Sequence, residues 1–143
     1  MSVFHMFSRL SGWPLGKYIF ARLFCFKAPY FGTIKPIFYV VEPGKCVAKI
    51  KKRRAVLNHI GTVHAIAMCN LAEAVGGLCI EVTLPKHLRW IPRGMTVEYL
   101  KKAETELEGV CEIDADSLVV GDNKVEVGVF DKENQKVFRA VID

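Results

Sequence analysis

Between residues 45 and 54, Cys46, Ala48 and Ile50 alternate with Val47, Lys49 and Lys51. A period of two reads as a strand with one buried face and one mostly basic face. The run 34–42 precedes it across "EPGK", a turn signal, so the two runs predict a hairpin. Further strands are expected near 95–103, 107–114, 124–130 and 137–142, with turns at "GDN" and "DKENQ". "LPKHLRWIPRG" holds two prolines and reads as a loop. Residues 1–32 read as two short helices broken at Gly12-Trp13-Pro14. No repeat or low-complexity segment interrupts the pattern.

The stretch 62–79 carries the helical period. At about 100° per residue, Val63, Ala67, Leu71, Ala74 and Leu78 fall on one side, flanked by His64, Met68 and Val75. Ala65, Ile66, Cys69, Asn70, Glu73, Gly76 and Gly77 fall on the other. The first arc is a core stripe. The second is small and polar with a single acid, whereas a solvated face normally shows several charges. Gly76-Gly77 leaves room for another backbone to approach. One long helix amid about six antiparallel strands is an α+β layout in which the sheet must cover the helix. The expectation is a single domain over 1–143, with a basic, aromatic helical extension at 1–32 and the core at 33–143.

Charge changes the picture at the N-terminal end. Residues 1–54 hold eleven Lys or Arg against one acid, Glu42, and the remainder nine bases against fourteen acids. The first part suits phosphates, an anionic membrane surface or the acidic half of another subunit. Lys17, Arg22 and Lys27 interrupt the apolar residues of 1–32, so no membrane span is expected there. Peripheral membrane contact remains open, and an acid-free, Arg-bearing start is also the composition of a mitochondrial transit peptide. The run "KIKKRR" at 49–54 follows strand alternation with no recognition module around it, so nucleic acid is not expected. Five scattered cysteines form no CxxC pair, which suggests reduced, buried thiols in a cytoplasmic setting and no metal site.

"NHIGTVHA" followed by "LAE" resembles the helix motif of the hotdog-fold thioesterases, especially the phenylacetate-pathway type. In that branch a His-Gly or His-Ala pair opens the long helix, and an Asp or Glu follows eight residues after the small residue. Here the pair is His64-Ala65, and eight residues on stands Glu73. "EPGK", "IPRGMTVEYLKKA" and the basic N-terminal helices also look like a poorly characterised hotdog branch, a domain of unknown function. The resemblance covers nearly the whole chain. It implies hydrolysis of an acyl-CoA or acyl carrier protein thioester, with coenzyme A as part of the substrate and no other cofactor.

The implied chemistry needs a donor for the thioester oxygen and a carboxylate that activates water or attacks. The Ala65 backbone N–H, unpaired in the first helical turn at the positive end of the macrodipole, is the oxyanion donor. Glu73 is the general base or the nucleophile. Eight residues at 1.5 Å each put them about 12 Å apart on one helix, so one chain cannot bring both to one carbonyl. Two antiparallel helices can, which requires at least a homodimer, with a tetramer also open. By resemblance, Asn58 contacts the carbonyl or the water, and His64 orients the thioester, unless it merely satisfies the turn. His59 is a further candidate. Asn70 lies near Glu73 on the wheel and would orient it, and Gly76 and Gly77 would line the same approach. Arg53, Arg54, Lys86, Arg89 and Arg93 are candidates for the coenzyme A phosphates.

Ala65-Ile66 in place of paired glycines narrows the approach, so acyl preference is not carried over. The Asp-x-Asn-x-x-His signature of hotdog hydratases is absent, as are GxSxG, P-loop and HExxH motifs. The alternative from another class is a non-catalytic acyl-binding or peripheral membrane protein on the same scaffold.

Overall fold

The computed structural model describes residues 2–143. Strands β1 (Ile37–Glu42) and β2 (Lys45–Ile50) form the hairpin around "EPGK". Gly44 sits there at φ 85°, where a Cβ would come 3.0 Å from the Ile113 carbonyl oxygen, so glycine is required. Strand β1 starts later than its apolar run because Pro36 has no N–H for the ladder and Pro29–Thr33 wind into a 3-10 turn. Strands β3 (Met95–Tyr99), β4 (Leu107–Glu112), β5 (Val125–Phe130) and β6 (Lys136–Ile142) complete one antiparallel sheet in the order β1-β2-β4-β5-β6-β3. Strand β3 therefore occupies an edge.

Register explains the core. Phe38, Ala48, Gly109, Val129 and Phe138 stand in one row across five strands, with large residues at both ends and small ones between. Helix α3 (Ala65–Thr83) lies over that small centre. A Cβ on Gly109 would meet Leu71 Cγ at 3.0 Å and Val75 Cγ2 at 3.2 Å, so this glycine sets how closely helix and sheet approach. From the helix side, Gly76 does the same against Ile142 and Val127. The helix is long and apolar enough to cross a bilayer, but most of it is buried in this fold. It ends where Leu84, held extended before Pro85, cannot continue it.

On the outer sheet face the cations of β2 meet acids of β4. Lys45 pairs with Glu112 at 2.6 Å and Lys49 with Glu108 at 3.2 Å, each opposite its register partner. Arg139 of β6 bridges Glu98 of β3 at 3.2 Å and Glu126 of β5 at 2.9 Å. Being exposed, such pairs contribute about 0–1 kcal/mol each. The basic face read from alternation is thus largely neutralised by its neighbour strand.

Helices α1 (Val3–Ser11) and α2 (Gly16–Lys27) are joined by a turn so tight that a Cβ on Gly16 would lie 1.5 Å from the Leu10 oxygen. They enter the core through aromatic rings. Phe7 meets Phe20 at 5.0 Å, and Phe20 and Phe24 meet Phe38 at 5.6 and 4.9 Å between centroids. Edge-on pairs of this kind add about 0.5–1.5 kcal/mol each beyond area burial. The five cysteines are free thiols, and burial pushes the Cys46 thiol well above the ordinary range.

Gly76 departs from its expected role. The space beside it is filled by the sheet of its own chain, not by another backbone, since a Cβ would come 2.8 Å from Ile142 Cδ1 and 3.0 Å from Val127 Cγ2. Gly76→Val is therefore expected to cost about 1–3 kcal/mol by overpacking. The check is a lower urea midpoint at unchanged slope.

Candidate active site on the central helix

The segment before α3 is a built loop. Asn58 Oδ1 accepts from Ile60 N and Thr62 N, both at 3.1 Å, and its Nδ2 donates to Thr62 Oγ1 at 2.7 Å. The side chain expected to touch substrate thus spends most of its bonding on folding residues 58–62, leaving one amide hydrogen. Thr62 is buried beneath it. His59, at the exposed end of this loop, forms no hydrogen bond or ion pair among the described residues.

His64 is the N-cap of α3, extended at φ −63° and ψ 140°. Its Nδ1 accepts from the Ile66 N–H at 3.0 Å, a cap usually supplied by Ser, Thr, Asp or Asn. That places the proton of the neutral ring on Nε2, on an exposed side chain. The His64 carbonyl takes Ala67 N at 3.0 Å and Met68 N at 3.2 Å. Among the described residues, the first-turn donor left without a partner is the N–H of Ala65. It points along the helix axis at the positive end of the dipole.

Along α3 the outward ridge runs through Ile66, 54% exposed, then half-buried Cys69, then exposed Glu73. Glu73 has no hydrogen bond or ion pair among the described residues. Gly77, one turn on, is covered by the Trp90 ring, with a Cβ-to-ring approach of 2.9 Å. Beside the ridge lies edge strand β3, which exposes Met95 and Tyr99, with exposed Leu100 just after it, and has one side of its backbone unpaired. Burial pushes the Cys69 thiol up, and the neighbouring Tyr99 hydroxyl acts in the opposite direction, so ridge and strand are close here. Trp90, Met95 and Tyr99 did not stand out in the sequence, where Trp90 reads as loop and the strand as an ordinary alternating run.

Of three expected neighbours of Glu73, two face elsewhere and the third is covered. Asn70 is buried and turned away, its Nδ2 donating to Thr33 Oγ1 at 3.1 Å and Tyr30 O at 3.4 Å. The wheel could not anticipate this, because the cover over Asn70 comes from the turn after α2. Gly76 faces the sheet, and Gly77 lies under Trp90. The arginines divide between the two ends of α3. Arg53 hydrogen-bonds the Thr33 carbonyl, and Arg54 opens the 3-10 turn (Arg54–Val56) whose Val56 oxygen accepts from His64 N. Arg89 and Arg93 line a pocket of about 180 Å³ with Ile80 and Leu84 at the other end, where Arg93 pairs with Asp122 at 3.2 Å.

A family model described as a domain of unknown function (DUF4442) matches residues 16–143. Comparison with curated protein sequences finds no match. Among solved structures, a crystal structure from a genomics programme shares 40% identity, covering 98% of this chain and 94% of that one, with a TM-score of 0.86. A Pseudomonas aeruginosa protein of unknown function, described as a probable thioesterase, aligns at 20% identity over 85% of this chain and 89% of its own, with a TM-score of 0.77. Zebra fish thioesterase superfamily member 2 aligns at 17% identity over 85% and 91%, with a TM-score of 0.70. The fold is the hotdog fold of these thioesterases, with an antiparallel sheet packed on one long helix.

Proposed function

The chain belongs to the DUF4442 family, and we propose that it hydrolyses an acyl-CoA thioester at a site shared by two copies of α3. The reading is carried by one observation. The free Ala65 N–H and the unpartnered Glu73 carboxylate lie on the same otherwise buried helix, at its N-terminus and on its outward ridge, beside an edge strand with unpaired backbone. An exposed edge bearing Met95, Tyr99 and Leu100 invites a second copy. Pairing there brings the helices side by side and antiparallel, and the 12 Å between donor and base, about eight residues' rise, becomes a contact between subunits.

In that arrangement the thioester oxygen takes the Ala65 N–H of one subunit. Glu73 of the other removes a proton from water as it adds to the carbonyl carbon. The tetrahedral intermediate then collapses with loss of the thiolate, leaving the free acid. In this reading the Nε2–H of His64 holds the acyl carbonyl, and Asn58 shapes the loop beneath. The antiparallel pairing also carries Arg89 and Arg93 of one subunit toward the end of the helix where the other has Arg53 and Arg54, a setting suited to the phosphates of coenzyme A.

The test is thiol release from short, long and aryl acyl-CoAs by purified wild-type chain. Turnover of at least one class, by a species that sediments as a dimer or larger, supports the reading. A clean preparation that releases no thiol from any of them sinks it.

A further inference from the structure

Helix α2 is apolar on both sides. Phe20, Ala21 and Phe24 face the aromatic core, while Tyr18, Ile19, Leu23 and Phe26 stand exposed opposite, with Arg22 among them. The ridge continues past both ends of the helix. Trp13 in the preceding turn is 71% exposed, Phe26 86%, and Tyr30 in the following turn 66%. A helix apolar all round is normally covered all round, and this chain covers one side.

Next to this ridge, between α2 and the β1–β2 hairpin, runs a groove of about 560 Å³. Tyr18 and Phe26 belong to both the ridge and the groove wall. The groove gathers Arg22, Lys35, Lys49, Lys51 and Arg53 against a single acid, Glu106. Lys49 is engaged by Glu108. The Lys35 and Lys51 ammonium groups have no partner among the described residues, and Arg53 Nε is buried without an acceptor. These unpaired donors share a wall with aromatic rings, which is the chemistry of a phosphate headgroup joined to apolar chains.

We infer that the α1–α2 hairpin and this groove form one docking surface for an anionic phospholipid bilayer. The aromatic ridge enters the interfacial region, and Arg22, Lys35 and Lys51 of the groove take lipid phosphates. Charge selects this occupant over a second copy, because a self-complementary contact on the ridge would set Lys17, Arg22 and Lys27 against their own images, with no acid before Glu42. The side chains select it over an acidic protein surface. Trp, Tyr, Phe and Leu interspersed with Lys and Arg are the composition that seats a helix in the headgroup region.

The full chain should sediment with vesicles of phosphatidylcholine and phosphatidylglycerol in equal parts, and not with phosphatidylcholine alone. High salt should weaken the binding, since groove and helix cations are screened. Trp emission should shift to the blue on binding, and the shift should vanish in Trp13→Phe. Phe26→Ser should weaken partitioning about tenfold. Arg22→Gln and Lys35→Gln should each weaken it about fivefold. All four side chains lie on the surface of the fold, so unchanged circular dichroism is expected throughout. The inference is overturned if anionic vesicles leave the protein in the supernatant, or if Phe26→Ser binds like wild type. It is equally overturned if Phe26→Ser lowers the oligomeric mass in sedimentation without vesicles, because a second copy would then be the cover.

Discussion

Replacing Glu73 by Gln should lower thiol release by about 10²–10⁴-fold, the usual worth of a positioned general base. The substitution keeps the shape and replaces the basic carboxylate that takes the proton from water by a neutral, non-basic amide. Because Glu73 is exposed and forms no hydrogen bond or ion pair among the described residues, the folded chain has no reason to lose stability. The measurement is kcat on the best acyl-CoA, with the urea midpoint and sedimentation coefficient alongside. A variant that keeps wild-type kcat removes Glu73 from the reaction.

Ala65→Pro should cost about 10²–10³-fold in kcat, as expected for loss of one oxyanion donor. Proline is the substitution to use here. Ala65 is the first helical residue, where proline's fixed φ suits the helix and its missing N–H breaks no helical bond. The preceding His64, at ψ 140°, already has the extended conformation that a following proline demands. The change therefore subtracts one N–H and leaves the helix standing. Mixing the two variants tests whether the site is shared. In a mixed dimer, Ala65 of the Glu73→Gln chain meets Glu73 of the Ala65→Pro chain, so one of two sites is whole. Random re-association of equal parts should restore about a quarter of wild-type activity if each site draws on both subunits of an isologous pair. A mixture as inactive as its components excludes that arrangement.

The parts of this site that could be read directly are those set by local spacing. "HA" before an apolar period marks the helix start, and eight residues on the same period place Glu73 outward, where the structure also has it. What misled was the assumption that α3 has one covered side. Asn70 and Gly76 group with Glu73 on the wheel because their angles are close to it. In the folded chain the Pro29–Thr33 turn closes over Asn70 and the far strands β5 and β6 close over Gly76. Both covers come from residues more than thirty positions away, and no window along the chain contains them.

The amino-acid sequence by itself determined the element types, the β1–β2 hairpin and the helix carrying Ala65 and Glu73. Those depend on which residues alternate at period two or 3.6 and on Gly44 and Pro85 at the breaks. Only the tertiary structure decided that β3 lies at an edge, that the aromatic rings of α1 and α2 join the core, and that the cations of β2 are matched by β4. Strand order and helix coverage depend on contacts between distant segments, chosen by how volumes and charges fit once the chain has closed on itself.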